Sequence, residues 1–446
     1  MLAESPEANL APIERLVRLI RERKATVAVL GLGYVGLPLL TAFLDAGFPV
    51  MGIEQSQARL DAIRRGEDLD LPPTAAEQAL ASGALRLARE PKILAEADAV
   101  IICVPTPLTR NEVPDLRYVE QALDDVAPYL RPHMLVVLES TSYPGTTDEL
   151  LRPALERSGL KVGRDIFAAY SPERVDPGNR RFRTRNTPKL VAGVTELCTR
   201  AAAALYAQAI DRVIPLASPS VAEMAKIFEN TYRAVNIALV NELTMLCDRM
   251  GLSIWDVLDA AATKPFGLQV FRPGPGVGGH CIPLDPFYLS WKAKEFDVRL
   301  HFIELAGEVN RKMPYFVLDK VSRLLSEEGK PLKGARVCVL GVAYKEDIPD
   351  TRESPAVTVL NLLAARGADV VYHDPHVPQL GPDSGSRWTG RSTPLQQAVD
   401  GVDCVVLATA HAAVDYDFVL AQPTIVLDGR GALRRAAAAT ARVVEL

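Results

Sequence analysis

The chain has no excess of basic residues. Fifty lysines and arginines stand against 55 aspartates and glutamates, a formal charge of -5 over 446 residues, so the electrostatic footprint of a nucleic-acid-binding surface is missing. It also lacks any apolar run of the roughly 18 residues that a membrane-spanning helix needs. Glu4 and Glu7 stand near its start, where a secretory signal wants basic charge. We therefore expect no nucleic-acid partner, no membrane and a cytoplasmic location, with a short amphipathic leading helix. Cysteine is sparse: six residues at no regular spacing make neither a disulfide framework nor a zinc site. Cys103, Cys338 and Cys404 lie in the apolar runs VIICV, VCVL and DCVVL, and Cys198 and Cys247 lie in helical patterns. These five read as small hydrophobes. Cys281 alone has glycine and polar neighbours, in GPGVGGHCIPLDP.

What is present is an ordinary globular balance, 48% apolar and 24% charged, in a chain long enough for two or three cores. The stretch TVAVLGLGYVGLPLLTAFLDAGFPVMGIE runs strand, glycine turn, helix, strand. ADAVIICVPTP and PHMLVVLEST follow as buried parallel strands. The same order returns in RVCVLGVAYK, ADVVYHD and VDCVVLATAH. Between them, from Pro219, apolar residues recur every three or four positions over some thirty residues, which predicts a long helix or a kinked pair that contributes an oligomer contact. The expected fold is α/β, two doubly wound Rossmann-like domains joined by a long central helix. Its expected segments are 1–215, 216–325 and 326–446.

Gly31, Gly33 and Gly36, with Tyr34 and Val35 between them, fit GxGxxG after a strand and before a helix. That context marks a dinucleotide site. Glu54, at the end of the next strand, is placed for a ribose 2′-hydroxyl and repels a 2′-phosphate, which favours NAD over NADP. Arg59, on the following helix, is assigned to the adenine side, against the plainer reading of a solvated helix residue. The C-terminal repeat keeps Gly341 without the full glycine pattern and supplies Lys345, Arg352 and Arg430, cations suited to a different, phosphorylated ligand. Ordinary surface charge explains their spacing equally well.

A thiol between two nucleotide sites suits aldehyde oxidation. A Cys281 thiolate adds to an aldehyde, hydride is lost, and hydrolysis of the thioester releases an acid. Glycines 274, 276, 278 and 279 would let the backbone pass close to a substrate. The chemistry further needs a cation or amide for the oxyanion and a carboxylate for water. Lys226 and Asn230, four apart on the central helix, fit the first need. Asp285 and Glu173 are candidates for the second. His280 is adjacent to the thiol but, as a sequence neighbour, makes a poor partner for it. His373 and His376 have no further ligand nearby in sequence, so no metal site is expected.

The motifs GLGYVGLP, EST with PGTT, SPERVDPGN, AEMAKIFENTYRAVNIALVNEL, GPGVGGHCIPLDP and GVAYKEDIPDTRESP, in this order, resemble the UDP-glucose/GDP-mannose dehydrogenase family over nearly the whole chain. The central and thiol-loop motifs are similar to its bacterial UDP-N-acetylhexosamine 6-dehydrogenases, particularly the UDP-N-acetylglucosamine branch. The resemblance implies NAD-dependent, four-electron oxidation of a sugar C6 alcohol to a carboxylate, an early step toward a surface polysaccharide. It implies Cys281 as nucleophile, Lys226 and Asn230 as oxyanion holders, Asp285 as acid-base residue, and Thr141 with Glu173 at the water. It places Ser140, Thr141, Val104, Thr106 and Arg352 with the cofactor, and Lys345 and Arg430 with the UDP end. Arg272 and Gly278 are assigned to the substrate, as is Arg174, against the reading of Arg174 as part of a solvated basic loop. The basic cluster Arg180, Arg181, Arg183 and Arg185 reads either as a sugar or phosphate contact or as a solvated loop. The family implies a homodimer built across the central helix. The mannosamine epimer is the nearest alternative substrate. A non-catalytic nucleotide-sugar sensor is the rival from another class, disfavoured by the set Cys281, Lys226, Asn230, Asp285 and Glu173. Glu54 departs from the family's usual aspartate.

Overall fold

In the computed structural model the described residues are 12–67, 73–109, 111–176, 179, 181–434 and 440–446. They gather into two compact units, one of residues 1–229 with 291–296, the other of residues 230–290 with 297–446. The middle segment is thus shared between them, and the changeover falls inside the central helix.

Among its described residues the first unit holds eight short strands: β1 (Val27–Leu30), β2 (Val50–Ile53), β3 (Leu85–Ala88), β4 (Ala99–Ile102), β5 (Leu135–Leu138), β6 (Phe167–Tyr170), β7 (Lys189–Gly193) and β8 (Val213–Pro215). They lie in the order β3-β2-β1-β4-β5-β6-β7-β8, parallel throughout except for β6 against β7. The runs VAVL, AVII and LVVL have every residue buried, because a parallel sheet covered on both faces has no solvent side for polar residues. One face packs on Leu39, Leu40, Phe43 and the leading helix Pro12–Arg21 through Leu16, Val17 and Ile20; the other packs on Val119, Leu123 and Leu151. The expected leading helix therefore exists, with its buried stripe in the core.

The second unit carries β9 (Arg336–Leu340), β10 (Asp369–His373), a small antiparallel pair β11 (Gln379–Leu380) and β12 (Gly390–Arg391), then β13 (Cys404–Leu407), β14 (Ile425–Asp428) and β15 (Arg442–Glu445). The main sheet runs β10-β9-β13-β14-β15, all parallel. In each sheet the strand order reverses beside its first strand, between β1 and β4 and between β9 and β13, where doubly wound folds bind ligands at the carboxyl ends of the strands.

The central segment is one unbroken helix, Pro219–Met250, of 32 residues. Its continuation supplies helices Ile254–Ala262, Asp285–Ala293 and His301–Glu327. Among the described residues no helix is long and apolar enough to cross a membrane.

Candidate functional site

In the first unit the turn after β1 is fixed by close approach. Gly31 has φ +87°, and a Cβ there would stand 2.5 Å from the Cys103 carbonyl oxygen. A Cβ on Gly36 would meet the Gly31 oxygen at 1.9 Å. Gly33 is different: a Cβ there meets nothing within 4 Å. The middle glycine therefore leaves an open edge at the start of helix Gly36–Asp45, room for a pyrophosphate against the helix N-terminus. Tyr34 is exposed and Val35 half-buried beside it. The Glu54 carboxylate accepts from the Leu32 N–H at 3.1 Å and the Ser56 N–H at 2.9 Å, and each oxygen keeps a lone pair for a ribose hydroxyl. Arg59 donates from Nε to the Leu32 oxygen at 2.6 Å, so it braces the glycine turn and is not simply a solvated helix residue. Ser140 Oγ donates to the Val104 oxygen at 2.8 Å, joining the ends of β4 and β5. Thr106 is buried, and Thr141 half-buried. These residues fit NAD.

Beyond β5 the same unit builds a charged interior. Glu173 Oε1 accepts from the N–H groups of Arg174 and Val175, at 2.8 and 2.6 Å. Its Oε2 lies 3.2 Å from Lys189 Nζ, which is 2.7 Å from Glu139 Oε2. Burial pushes the Glu173 carboxyl up, but the Lys189 charge, the Val175 N–H and the Lys226 charge outweigh it and hold it below the usual range. Lys226 is 9% exposed and has no hydrogen-bond or ion-pair partner among the described residues. Arg174, assigned to the substrate, instead donates to Glu229 at 2.6 Å and to the Pro188 oxygen at 2.8 Å. Glu223, one turn before Lys226, is fully buried and accepts from Gly145 N, Thr147 N and Thr147 Oγ1, which pins the loop that follows Ser140 and Thr141. Arg181 lies over the Phe182 ring and Arg185 pairs with Asp211; Arg180 lies outside the described residues.

In the second unit, five cysteines having been accounted for in the cores, Cys281 is the one that is half-buried. Its carbonyl accepts from the N–H of Asp285 at 2.8 Å, the first residue of helix Asp285–Ala293. Asp285 is buried, and Asn230 Nδ2 donates to its Oδ2 at 2.5 Å. Two residues expected in separate roles thus form a pair, and Asn230 keeps a second N–H. The loop glycines are explained by the protein itself. Cβ atoms at Gly276, Gly278 and Gly279 would stand 2.7–2.9 Å from Pro355, Tyr344 or Glu353 atoms, and Gly279 N donates to the Arg352 oxygen at 3.0 Å. The expectation that they clear space for substrate is corrected to this extent: they let the thiol loop lie against segment 344–355. His280 beside the thiol has its imidazole held below the usual pKa by burial and by Arg352.

Arg430, after β14, donates from Nε to the Ala408 oxygen at 2.6 Å. Its terminal amino groups have no partner among the described residues. It lines a pocket of about 350 Å³ with Trp255, Asp259, Arg272 and Arg434. Arg272 pairs with Asp259 at 2.7 Å and lies over the Trp255 ring, so Arg272 and Arg430 are brought to one place. Lys345 is half-buried on the loop after β9. Arg352 is engaged bidentately by Asp350.

The expectation that His376 has no companion beyond His373 needs correction. Asp347, His376 and His411 gather from three loops, with His376 Nε2 3.7 Å and His411 Nδ1 3.9 Å from Asp347 Oδ1. His411, however, accepts the Asp347 N–H at Nδ1 and meets Asp374 at Nε2, which leaves it no lone pair for an ion.

Family models for the UDP-glucose/GDP-mannose dehydrogenase family match three segments: its NAD binding domain over residues 25–210, its central domain over 220–312 and its UDP binding domain over 338–435. A UDP-N-acetyl-D-mannosamine dehydrogenase of Pyrococcus horikoshii is 34% identical over 92% of this chain and 96% of its own length. A UDP-N-acetyl-D-glucosamine 6-dehydrogenase of Pseudomonas aeruginosa is 37% identical over 86% and 90%. Among solved structures, a UDP-D-ManNAc dehydrogenase of Pyrococcus horikoshii superposes with a TM-score of 0.83 at 31% identity, covering 94% of this chain and 99% of that one.

Proposed function

This chain belongs to the UDP-glucose/GDP-mannose dehydrogenase family and is an NAD-dependent UDP-sugar dehydrogenase, and on that premise we propose that it oxidises UDP-N-acetyl-D-glucosamine at C6 to the uronate through a covalent adduct on Cys281. The observation that carries this reading is Lys226, a buried ammonium with no hydrogen-bond or ion-pair partner among the described residues, one helical turn before Asn230, whose amide is bonded to the aspartate that opens the helix after the thiol. A buried cation whose N–H groups lack acceptors is costly unless a ligand completes it, and a developing oxyanion is such a ligand.

When bound, NAD supplies the hydride acceptor, once for the C6 alcohol and once for the thiohemiacetal. The chain's own groups do the rest. The Cys281 sulfur forms the C–S bond to the C6 aldehyde, and Lys226 and Asn230 hold the oxygen. Glu173 takes a proton from water, whose oxygen displaces the sulfur and returns the thiol. One alcohol, one water and two NAD thus give one carboxylate, two NADH and three protons. Arg430, Arg272 and Lys345 serve the UDP end in this reading, Asp285 is the acid-base residue near the thiol, and Arg352 serves the cofactor. The reading includes a cytoplasmic enzyme on the way to a surface polysaccharide.

The 37% relative supports the glucosamine epimer, and the 34% relatives named for mannosamine favour the second reading, since one C2 stereocentre leaves no separate signature among these residues. Purified protein given either UDP-sugar and NAD is expected to form two NADH per sugar consumed, with the higher kcat/KM on the glucosamine epimer. One NADH per sugar would end the four-electron assignment, and preference for the mannosamine epimer would replace the substrate.

A homodimer belongs to the same proposal. Phe228, Leu239, Leu243, Leu246 and Met250 lie along the central helix between 40% and 64% exposed, exposed apolar side chains of the kind that mark a protein–protein contact. Sedimentation equilibrium is expected to give a dimer, and Leu243→Glu with Leu246→Glu to shift it to monomer. A monomeric parent protein would remove this part.

A further inference from the structure

We propose that Lys189 is a positioning residue for hydrolysis: its ammonium, fixed in the interior by Glu139 and Tyr206, holds one oxygen of Glu173 and leaves the other lone pair of that oxygen for water. The inference rests on the reading of Glu173 as the base that activates water.

Lys189 opens β7, where a charged residue precedes the apolar run LVAG, and its side chain is 4% exposed. Nothing in the catalytic scheme above uses it, and burying an ammonium needs a cause. The geometry supplies one. Nζ sits 2.7 Å from Glu139 Oε2 and 3.2 Å from Glu173 Oε2, and 5.5 Å from the centre of the Tyr206 ring. The Tyr206 hydroxyl donates to Glu139 Oε1 at 2.5 Å. Glu173 Oε1 already accepts two backbone N–H groups, which fills that oxygen. Oε2 accepts one bond, from Lys189, and keeps one lone pair. Oε2 is therefore the atom that takes the proton from water, and Lys189 sets its direction.

Two carboxylates share one ammonium here, so their environments decide which stays charged. Glu139 is fully buried, and burial with the Glu173 charge pushes its carboxyl up against the pull of Lys189 and Tyr206. Glu173 goes the other way, because Lys189, the Val175 N–H and the Lys226 charge overcome its burial. The remaining neighbours are accounted for. The Cys103 thiol at the end of β4 is pushed well up by burial and the Glu139 charge and stays neutral. Arg174 is turned to Glu229. The first proton taken by the pair goes to Glu139, and Glu173 remains a base.

The test is the pH dependence of kcat for the full-length enzyme with NAD and UDP-N-acetyl-D-glucosamine. Lys189→Arg keeps the cation and is expected to keep the acid limb in place. Lys189→Met combined with Glu139→Gln removes both charges without stranding a buried carboxylate, and is expected to move the acid limb to higher pH by about one unit or more, with the rate recovering above it. A merely structural lysine would lower the rate at every pH and leave the limb where it was, which would overturn the proposal. Glu173→Gln, run in parallel, separates the two readings: if it leaves rate and limb unchanged, the assignment of Glu173 as base fails whatever Lys189 does. Should the double variant not fold, as judged by its melting curve, carboxyl carbon-13 NMR of the wild-type protein decides instead, with the two signals assigned by Glu173→Gln and Glu139→Gln. Glu173 is expected to titrate at lower pH than Glu139, and the reverse order would overturn the proposal.

Discussion

Cys281→Ala is expected to lower turnover by a factor on the order of 10⁴ or more, the scale seen when a covalent nucleophile is removed, while the affinity for NAD changes by less than about twofold. The two halves of this prediction come from different units. The glycine turn, Glu54 and Arg59 that suit the dinucleotide lie in residues 1–229, where Glu54 and Arg59 both hold the Leu32 backbone of that turn. Cys281 lies in the other unit, on a loop held by Gly279 N against the Arg352 carbonyl and by Tyr344 beneath it. An alanine there removes the sulfur and keeps the Gly279 bond to Arg352 and the glycine approaches to Tyr344. Isothermal titration with NAD and a steady-state NADH assay read the two halves separately. A variant that keeps even a tenth of the parent rate would rule out covalent catalysis, and one that loses NAD binding would mean that the residue acts on the cofactor site and not on the sugar.

The fold could be read because its signals are local. Four-residue runs such as VAVL and LVVL specify buried parallel strands, the three glycines name their turn, and apolar spacing names the helix from Pro219. Cys281 stood out for a similar reason: three cysteines sit in apolar runs and two in helical patterns, and one sits in neither. The partners of those residues were not legible, since pairing is set by tertiary contact. Asn230 and Asp285 are 55 positions apart and meet. Arg272 and Arg430 share a pocket wall with Trp255, Asp259 and Arg434, none of which carries a motif. Lys189 and Glu139 gave the faintest sign, a charge flanking an apolar run at β7 and at the end of β5, which in isolation reads as a strand end. His411 likewise joins His376 only once β13 lies two strands from β10. The glycines of the thiol loop illustrate the converse: their presence was plain, but their reason, the Tyr344 and Pro355 side chains and the Glu353 carbonyl lying within 3 Å of where a Cβ would stand, belongs to the fold.

Glu173→Gln carries the second large effect. Removing the base is expected to slow turnover by about 10²–10⁴-fold and, because the two oxidations precede hydrolysis, to leave NADH formation fast in the first turnover. A pre-steady-state burst of two NADH per active site should appear, followed by a slow phase, and intact-protein mass spectrometry should find Cys281 carrying the acyl group. Glutamine preserves the shape of the side chain, and its carbonyl oxygen can still accept the Arg174 and Val175 N–H groups or the Lys189 ammonium, so the loop is expected to keep its position. What the substitution removes is the negative charge that Lys189 and Lys226 hold in place. The acid side of the parent's pH profile follows from the same balance. A carboxyl held below its usual range stays a base at lower pH than an ordinary buried glutamate would, so turnover is expected to persist into mildly acid conditions and to fall only as Glu173 takes a proton. If the variant shows no adduct and an unchanged rate, water is activated by another group, and the charged interior around Lys189 would then serve the fold alone.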